Sequence, residues 1–502
     1  MADLKDEILD VALKRCFLIQ ACEIYGSMSG VYDYGHVGCA LKRKIEDAWR
    51  RELIVKEGNY EVATSLILPE IVLKASGHVG HFSDPLVDCK KCKKRFRADH
   101  LVGGLLKIST EELKPEQLAE VIRKEKVRCP DCGGELEEVK PFNLMFKTNI
   151  GPVEGNVGYT RPETAQGIFL DFQREFRATG SKLPMGIAQI GRSFRNEISP
   201  RQGLIRLREF TQMELEYFFD PKKPTHARYG EVKKTKMRFY TREEQKKESK
   251  KIIEMSVEEA VKKKTIPNEL LAYFLVREQE FYLKMGVPYE KFHFRHLLEG
   301  ETPHYSGGNL DLEVDTLFGW VETIGTAYRT DYDLGAHAKM SGKDQSVFME
   351  ETKERFVPHV VEPSFGVERL LWCVLESAYR KEGGAENRNW SWFDFPCAIA
   401  PYDAAIFPLM KKDGMQEKAR EIVEMLREAN LEVNYDESGS VGKRYARADE
   451  IGTPYCITVD YDTAKDESVT VRFRNDGKQV RVKVSELAGK LKEFKKKNKV
   501  TG

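Results

Sequence analysis

The chain has no apolar run that approaches the roughly 20 residues needed to cross a membrane. Its first ten residues, MADLKDEILD, are charged and lack the apolar centre of a signal peptide. Neither charge dominates, because 81 Lys and Arg residues face 80 Asp and Glu residues. We therefore expect a cytoplasmic protein without a membrane partner, in which any nucleic-acid contact comes from a local patch of charge.

Two further patterns are missing. No stretch matches GxxxxGK[ST], which excludes the phosphate-binding loop of P-loop nucleotide enzymes. Of ten cysteines, six are scattered singly, which argues against a disulfide framework. The composition is that of a globular protein, 41% hydrophobic and 32% charged. A length of 502 residues is too great for one hydrophobic core and predicts about three or four domains.

Residues 189–219 contain two apolar, β-favouring runs around a polar segment with Pro200 and Gly203, which predicts two antiparallel strands joined by a long loop. Spacings of two predict that charged and aromatic side chains share a strand face, namely Arg195, Glu197, Arg206, Arg208 and Phe210. Arginine forks bind phosphate, a ring stacks on a base, and a carboxylate accepts from an exocyclic amine. The hairpin thus suits a nucleoside triphosphate, and a solvated amphipathic hairpin is the alternative.

This pattern resembles motif 2 of the class II aminoacyl-tRNA synthetases, which binds ATP. An apolar helix face at 41–53 before a strand at 60–68 resembles motif 1, which builds the dimer interface in that family. Helical spacing is also expected at the start of the chain, over 3–25. The turn at Gly366 before Arg369 resembles motif 3, and residues 322–324 resemble the ATP- and metal-contacting segment. The ATP contacts implied are Arg195, Asn196, Glu197, Arg206, Leu207, Phe210, Glu322, Thr323 and Arg369.

The resemblance also implies roles for these residues. Catalytic contacts come from Arg195, on the α-phosphate and the incoming carboxylate, and from Arg369, on the outer phosphates with Arg206. Glu197 and Phe210 hold adenine, while Glu322 holds Mg²⁺. No covalent enzyme intermediate is required.

Residues 160–167, TRPETAQG, resemble the signature that precedes motif 2 in glycyl-tRNA synthetases. Glu163 would lie at a strand-to-helix turn, where its carboxylate suits an ammonium group. Capping of the helix by Glu163 or Thr164 is the alternative. The glycine-binding residues that the resemblance implies are Glu163, Glu214, Glu362, Pro363 and Ser364, and Arg329 and Asp331 follow in a substrate loop.

Two short segments imitate class I synthetase signatures, HVGH at 78–81 and KMSGK at 339–343. The first should end a parallel strand and begin a helix, but a polar, proline-containing stretch follows it. We interpret both as coincidences. Residues 76–78 and 82–84 instead resemble a loop of glycyl-tRNA synthetases.

Two CxxC pairs, Cys89 with Cys92 and Cys129 with Cys132, lie in a polar segment too small to bury its own core. Two matched pairs predict a tetrahedral structural zinc site, whereas a redox role is the alternative for either pair alone. The spacer between the pairs is predicted to hold a helix over 115–124.

The remaining segments complete the order of the family. A lysine-rich stretch leads to an amphipathic helix at 266–285, and residues 314–324 predict one buried strand. Beyond 390–396, alternating strands and helices resemble the anticodon-binding domain of glycyl-, threonyl-, prolyl- and histidyl-tRNA synthetases. Two motifs depart from the family: Asn309-Leu310-Asp311 after His304, and Arg472-Phe473-Arg474.

The expected fold is α+β: a class II antiparallel sheet flanked by helices, with a zinc-ribbon-like insert and a C-terminal mixed α/β anticodon-binding domain. The chain is expected to divide, in order, into 1–86 with motif 1, 87–140 for zinc, 141–221 with motif 2, 222–300 as a charged helical insertion, 301–392 with motif 3, and 393–502 for the anticodon. The resemblance implies a homodimeric glycyl-tRNA synthetase that uses ATP, Mg²⁺, structural Zn²⁺, glycine and tRNA(Gly). Alternatives are a threonyl- or prolyl-type synthetase, or a non-catalytic, synthetase-like nucleic-acid-binding dimer.

Overall fold

The computed structural model describes residues 3–108, 110, 113–152, 155–200, 202–247, 249–302, 306–386 and 388–497. His304 of the expected substrate segment lies outside these residues. The chain begins with α1 (Leu4–Lys14), β1 (Ile19–Gln20), β2 (Tyr32–Asp33), α2 (His36–Trp49), β3 (Tyr60–Glu61), β4 (Ile67–Pro69), α3 (Glu70–Ala75) and α4 (His78–His81). α2 continues as a π-helical turn, Arg50–Val55.

Two predictions in this first segment are too long. The expected helix over 3–25 ends at Lys14, because Cys16 has a φ of 53° in the left-handed region and breaks the helix. The expected strand over 60–68 is two short strands in different sheets. Between them the chain is held by other partners: the Thr64 N–H donates to the Gln189 side chain and the Leu66 carbonyl accepts from Arg161 N–H.

Residues 83–143 form a small subdomain, with β5 (Ser83–Asp88), β6 (Arg95–Arg97), α5 (Ala98–Leu106), α6 (Pro115–Lys124) and β7 (Lys140–Asn143). The helix expected over 115–124 is confirmed. The strands form a three-stranded sheet in the order β6-β5-β7. The two helices pack on β5 to form a separate apolar cluster, in which Val102, Leu118 and Ile122 meet Val87 of the strand.

The expected hairpin of motif 2 follows two shorter strands and a helix: β8 (Lys147–Asn149), β9 (Val157–Thr160), α7 (Ala165–Ala178), β10 (Met185–Phe194) and β11 (Glu209–Phe219). β10 and β11 pair antiparallel over the full length of β10 and are joined by residues 195–208. The predicted hairpin with a long loop is confirmed. α7 packs closely on the segment around Thr64 at Gly167, where an added Cβ would lie 2.0 Å from Thr64 Oγ1.

Residues 222–300 do not form a helical insertion, contrary to the expectation. They contain α8 (Tyr229–Val232), β12 (Lys236–Tyr240), α9 (Arg242–Lys246), β13 (Ile253–Ser256), α10 (Val257–Lys262), α11 (Glu269–Lys284) and β14 (Phe292–His296). The three strands extend the main sheet, and α11 is buried on most of its circumference rather than on one face. The lysines that dominate this sequence lie mostly outside the buried positions and hide the strand pattern.

The last part of the catalytic region contains β15 (Asn309–Thr316), β16 (Gly319–Thr330), α12 (Tyr332–Ser341), β17 (Val347–Met349), β18 (Glu354–Phe356), β19 (His359–Gly366), α13 (Val367–Ala378), β20 (Tyr379–Arg380) and β21 (Trp392–Phe393). The single strand expected over 314–324 is a hairpin of β15 and β16, which turns where Gly319 has a φ of 90°. The strand, turn and helix expected around Gly366 are confirmed as β19 and α13.

A nine-stranded sheet of mixed but mainly antiparallel strands organises the described catalytic region, in the order β13-β12-β14-β15-β16-β19-β11-β10-β3. β11 is the third strand from the β3 edge and lies between β10 and β19. Alternate residues Met213, Leu215, Tyr217 and Phe219 enter the main core with α2 and α11. Gln212, Glu214 and Glu216 face the opposite side. The sheet therefore carries an apolar core on one face and buried polar groups on the other.

The C-terminal domain has β22 (Ala404–Pro408), α14 (Met415–Glu428), β23 (Val433–Tyr435), α15 (Val441–Glu450), β24 (Tyr455–Val459), α16 (Thr463–Asp466), β25 (Ser468–Phe473), β26 (Gln479–Lys483) and α17 (Leu487–Lys497). Its five-stranded mixed sheet, β23-β22-β24-β25-β26, confirms the expected small α/β domain. Polar contacts tie it to the first helices: Lys14 pairs with Glu450 at 3.1 Å, and Lys44 donates to the Ala400 carbonyl at 2.8 Å.

Across the described part of the chain, no helix combines the length and the apolar character that a membrane span requires.

Candidate active site

A cleft of about 650 Å³ opens between the β10–β11 loop, β16, and the junction of β19 with α13. We call it the nucleotide cleft. Its lining is Arg195, Glu197, Leu204, Ile205, Arg206, Leu207, Phe210, Gln212, Glu322, Thr323, Gly325, Ser364, Gly366, Glu368 and Arg369. All the residues predicted to contact ATP are in this lining except Asn196. That residue lies in the same loop, where its N–H donates to the Leu144 carbonyl.

Arg195 is held between two aromatic rings. Its guanidinium carbon lies 5.2 Å from the ring centre of Phe82 and 5.2 Å from that of Phe210. Its Nε donates to the Pro162 carbonyl at 3.2 Å. Stacked rings and a fixed donor restrict the side chain before any ligand arrives. The remaining N–H groups suit a phosphate or carboxylate.

Glu197, the carboxylate expected to bind adenine, has one oxygen that is available as a hydrogen-bond acceptor. Its Oε2 is buried and forms no hydrogen bond with any described group, and the nearest cation, Arg206, is 3.7 Å away. A buried acceptor without a donor is costly unless a ligand supplies one. An exocyclic amine in the cleft would meet that requirement.

Arg369 and Glu322 face each other at the other end of the cleft. Arg369 donates to the Glu322 carbonyl at 2.7 Å and to the Ile205 carbonyl at 3.1 Å, and its Nη1 lies 3.5 Å from the Glu322 carboxylate. A second carboxylate, Asp311, is close: a Cβ added to Gly325 would lie 3.4 Å from Glu322 Oε1 and 3.7 Å from Asp311 Oδ1. The cleft thus ends in a fixed guanidinium beside two carboxylates.

The prediction that the charged and aromatic side chains of the hairpin share one strand face is wrong. β10 ends at Phe194 and β11 begins at Glu209, so Arg195, Glu197 and Arg206 lie in the connecting loop. Only Phe210 of the aligned set is on a strand. The side chains still converge because the loop folds back over the sheet, with the Arg195 N–H bonded to the Arg208 carbonyl at 2.9 Å.

A second, buried site adjoins the cleft and is formed by Glu163, Glu214, Glu362 and Ser364. We call it the carboxylate pocket. Glu214 is its most firmly held member: it accepts from Gln212 at 2.7 Å, Ser364 Oγ at 2.6 Å and Thr164 N–H at 2.9 Å. The Thr164 hydroxyl donates to the same carboxylate. Burial raises the pKa of Glu214, and the neighbouring Glu163 raises it further.

The Arg329 guanidinium contacts carboxylates that lie on three separate parts of the chain. It donates to both oxygens of Glu362 at 2.9 Å and to the two oxygens of Asp333 at 2.8 and 3.0 Å. It also lies 3.7 Å from Glu163. One guanidinium therefore fixes the position of three acids that the sequence separates widely.

Glu163 lies between β9 and α7, as expected, and is oriented by Gln166 and His78. Gln166 donates to it at 2.9 Å, and His78 Nε2 is 3.4 Å away. Burial opposes ionisation of Glu163, but His78 and Arg329 outweigh it and lower its pKa well below the usual value. Neither Glu163 nor Thr164 caps α7 through its side chain, so the capping alternative is wrong.

The structure thus brings the predicted glycine residues together. Pro363 lies between Glu362 and Ser364 on β19, and Ser364 also lines the nucleotide cleft, so the two sites are continuous. Sequence reasoning missed Phe82, Gln212, Asp333 and Glu216. Glu216 could have been recognised from the sequence, because a glutamate is unusual in a strand when both of its neighbours are apolar.

Comparison with known proteins matches two parts of the chain to family models. Residues 154–378 match the model of the tRNA synthetase class II core domain (G, H, P, S and T), and residues 403–494 match that of an anticodon binding domain. The glycine–tRNA ligase of Methanocaldococcus jannaschii is 42% identical, over 98% of this chain and 99% of that protein. The chain belongs to the glycine–tRNA ligase family of class II aminoacyl-tRNA synthetases.

Other glycine–tRNA ligases are similarly related. That of Pyrococcus furiosus is 41% identical and that of Thermococcus sibiricus is 40% identical, each over 98% of this chain and 99% of the relative. Prolyl-tRNA synthetase from Cryptosporidium parvum shares the fold, with a TM-score of 0.59 at 13% identity, over 99% of this chain and 78% of that one. The expected class II architecture is confirmed, and the class I signatures at 78–81 and 339–343 are coincidences.

The four cysteines of the insert meet at one point in this glycine–tRNA ligase family member. Each offers a sulfur within 4.8 Å of the others, with Cys89 and Cys132 at 3.5 Å and Cys92 and Cys129 at 3.7 Å. Gly134 makes room for them, since a Cβ there would lie 3.0 Å from Cys89 Sγ. The Cys92 N–H donates to Cys89 and lowers the pKa of that thiol to about 6. This donor set fits a tetrahedral zinc ion.

The two arginines of the Arg472-Phe473-Arg474 motif, in which Phe473 is the departure from the family pattern, have structural partners. Arg472 donates to both oxygens of Asp449 at 3.0 and 3.1 Å. Arg474 donates to the carbonyls of Gly452 and Phe395 at 2.7 and 2.8 Å and to Asp394 at 2.9 Å. Both side chains are buried. Arg472 joins β25 to α15 within this domain, whereas Arg474 ties the domain to Asp394 and Phe395, which precede its first strand.

Proposed function

We propose that the chain activates glycine with ATP, forming glycyl-adenylate and pyrophosphate, and then transfers glycine to the 3′ end of tRNA(Gly). The observation that carries this proposal is the continuity of the two sites: an arginine-lined cleft opens into a carboxylate pocket through Ser364. An anion and an ammonium group can therefore be bound side by side, as activation of a small amino acid requires.

In activation, a glycine carboxylate oxygen attacks the α-phosphorus of ATP and pyrophosphate leaves. Both reactants are anions, so positioning and charge stabilisation are the main contributions of the protein. Arg195, held by Phe82 and Phe210, would bind the α-phosphate and the incoming carboxylate. Arg369 and Arg206 would bind the outer phosphates, and the N-terminus of α13 adds favourable backbone dipoles.

The adenine would stack on Phe210 and donate its amine to the unpartnered Glu197 oxygen, with Asn196, Leu207 and Thr323 supporting the loop and strand around it. Glu322 would hold Mg²⁺, which when bound neutralises phosphate charge. In the second step the terminal ribose hydroxyl of tRNA attacks the adenylate carbonyl, and AMP leaves.

Selection of glycine is assigned to the carboxylate pocket. Glu163 and Glu362 would attract the ammonium group, while Glu214, Ser364 and Pro363 form a wall with little freedom to move. A rigid wall that clashes with a side chain discriminates better than an apolar pocket, which separates one methyl by about 1–3 kcal/mol. A separate editing site is not needed for this selection.

We also propose roles for the other regions of the chain. Zinc at Cys89, Cys92, Cys129 and Cys132 would hold the insert, residues 87–140, and residues 393–502 would bind the anticodon. The catalytic unit would comprise 1–86, 141–221 and 301–392 together with the strands of 222–300. The proposed compartment is the cytoplasm.

A homodimer is proposed because apolar side chains near motif 1 are exposed. Val55 is 72% exposed and Ile71 is 55% exposed, and Tyr60, Leu66 and Ile67, which lie between them in the sequence, are exposed as well. Exposed apolar side chains of this kind are typical of an interaction surface. Sedimentation should give twice the mass of the chain, and Ile71→Glu should shift the species toward monomer.

The deciding test of the activity is amino-acid-dependent exchange of pyrophosphate into ATP with each of the twenty amino acids. We expect exchange with glycine alone, and its loss in Glu163→Ala, with Glu120→Ala on the exposed face of α6 as control. A preference for threonine or proline would support the other class II alternative. No exchange with any amino acid would support the non-catalytic alternative.

A further inference from the structure

Glu216 is a buried acid for which the proposed mechanism has no use. It follows Glu214 by two residues on β11 and shares its face of the strand. It is fully buried, and neither carboxylate oxygen has a hydrogen-bond partner within the described residues. The next residue on that face, Phe218, stacks on Phe172 with ring centres 4.2 Å apart, so the surroundings below Glu216 are apolar.

Charged groups face Glu216 from four elements. They are Glu362 on β19, Arg329 on β16, Glu214 on β11 itself and Asp333 on α12. One oxygen each of Glu214, Glu216 and Glu362 lies within 4.8 Å of the others. With Glu163, which is 3.7 Å from Arg329, five acids thus surround one guanidinium. Burial together with Glu362 raises the pKa of Glu216 well above its usual value.

The hydrogen bonds show which neighbour can accept a proton from Glu216. Glu214 already accepts four bonds, from Gln212, Ser364 and both donors of Thr164. Each oxygen of Glu362 accepts one bond from Arg329 and keeps a free lone pair. Of the two close carboxylates, Glu362 is therefore the one with acceptor capacity left.

We propose that Glu216 is a positioning residue: it remains the neutral acid and donates its O–H to Glu362. Burial raises the pKa of Glu362 to about 8, but its two bonds from Arg329 favour the charged form, whereas Glu216 has no such donor. Glu362 is thus the ionised member of the pair and is fixed between two donors, Arg329 on one side and Glu216 on the other. Its charge remains available to an ammonium group without a second negative charge beside it. The inference deepens the proposed glycine site and rests on that function.

The competing arrangement is a cation held by ionised Glu214, Glu216 and Glu362. The two differ in one respect: the neutral acid can be replaced by an amide, whereas a cation site or a direct charge contact to glycine cannot. Glu216→Gln keeps the shape and the donor and removes the ionisable group. Glu216→Ala removes both.

We would measure KM for glycine and for ATP by pyrophosphate exchange in both variants and the wild type. We expect Glu216→Gln to stay within about threefold of the wild-type KM for glycine, and Glu216→Ala to raise it about tenfold or more, as loss of a hydrogen bond to a charged group does. KM for ATP should not change. Thermal unfolding of each variant reports whether alanine acts through misfolding instead.

A second measurement reads the proton directly. The infrared difference spectrum between wild type and Glu216→Gln should contain the carbonyl band of a protonated carboxylic acid, shifted in D₂O. Other buried acids are common to both proteins and cancel. Absence of the band, equal loss of glycine affinity in the amide and alanine variants, or no loss in the alanine variant would each overturn the inference.

If the proposed function itself is wrong, the exchange assay gives a different result. In that case the wild type itself shows no glycine-dependent exchange, while the infrared band still reports whether Glu216 carries a proton. The role in glycine binding would then fall with the function, and the protonation state of Glu216 would be judged by the band alone.

Discussion

Arg329 donates to both carboxylate oxygens of Glu362 at 2.9 Å, and both side chains are buried. Residues 33 positions apart in the chain thus form the central ion pair of the carboxylate pocket. A buried pair of this kind is most informative when one partner is removed, because the other charge then has no compensation.

Replacement of Arg329 by Met should lower stability by about 3–5 kcal/mol and raise KM for glycine, since Glu362 and Asp333 would lose their shared donor. Arg329→Lys keeps the charge but not the forked guanidinium, so its stability and its KM for glycine should lie between those of the wild type and those of Arg329→Met. Denaturant unfolding and glycine titration of pyrophosphate exchange measure both effects. The control is Arg355→Met, whose side chain is 60% exposed. Equal behaviour of the two methionine variants would contradict this role.

Phe82 should matter for catalysis although it is outside the expected ATP set. Phe82→Leu removes one of the two rings that hold Arg195, and a cation–π contact of this kind corresponds to about 2- to 30-fold in rate. We expect kcat to fall by that range with little change in KM for glycine. Steady-state exchange kinetics test this, with Phe348→Leu, at a partly exposed ring, as control. An unchanged kcat would mean that Phe210 alone orients the guanidinium.

The acid Glu278 on α11 should make stability depend on pH. It is fully buried, accepts only from Thr326 at 2.6 Å among the described groups, and burial raises its pKa from 4.5 to about 8. Between those values the unfolded chain loses the proton while the folded chain keeps it, so stability falls as pH rises. Glu278→Gln should remove this loss, of order 2–5 kcal/mol at pH 8.5, and match the wild type at pH 4.

Thermal unfolding from pH 4 to pH 9 measures the effect of Glu278. Glu120→Gln, on an exposed helix position, serves as the control and should follow the wild type throughout. Parallel curves for wild type and Glu278→Gln would show that this acid ionises freely in the folded protein.

Removal of zinc should disturb ATP binding as well as the insert. Ser199 of the β10–β11 loop donates to the Arg95 carbonyl at 2.8 Å, and Arg206 lies 3.5 Å from His100 of the insert. Losing these contacts should raise KM for ATP about 2- to 10-fold. Metal analysis, limited proteolysis across 87–140 and ATP titration of Cys92→Ser test this, with the exposed Cys22→Ser as control. Full zinc retention in Cys92→Ser would refute the site.

The sequence predicted the parts whose signal is local. The Gly366 turn with its helix, the helix over 115–124, and the C-terminal α/β domain depend on periodicity and turn residues within short windows. Paired CxxC motifs carry their chemistry in their spacing. The family resemblance then placed the carboxylates of the pocket in one site.

What the sequence did not predict depends on distant pairing. Nothing near Arg329 indicates that it bridges Glu362 and Asp333, and nothing near Phe82 indicates a guanidinium above its ring. The strands of 222–300 were missed because lysines mask their alternation. The end of β10 at Phe194 was missed because alternate polar residues continue beyond it into the loop.

β11 presents Met213 and Leu215 to the core and Glu214 to the pocket, with β10 and β19 paired on its two sides. A single inserted or deleted residue within it would exchange these faces, burying charges in the core and placing methyl groups where glycine binds. Evolution can therefore vary the length of the adjoining loop, residues 195–208, far more freely than that of the strand. Relatives should show gaps in the loop and none in β11.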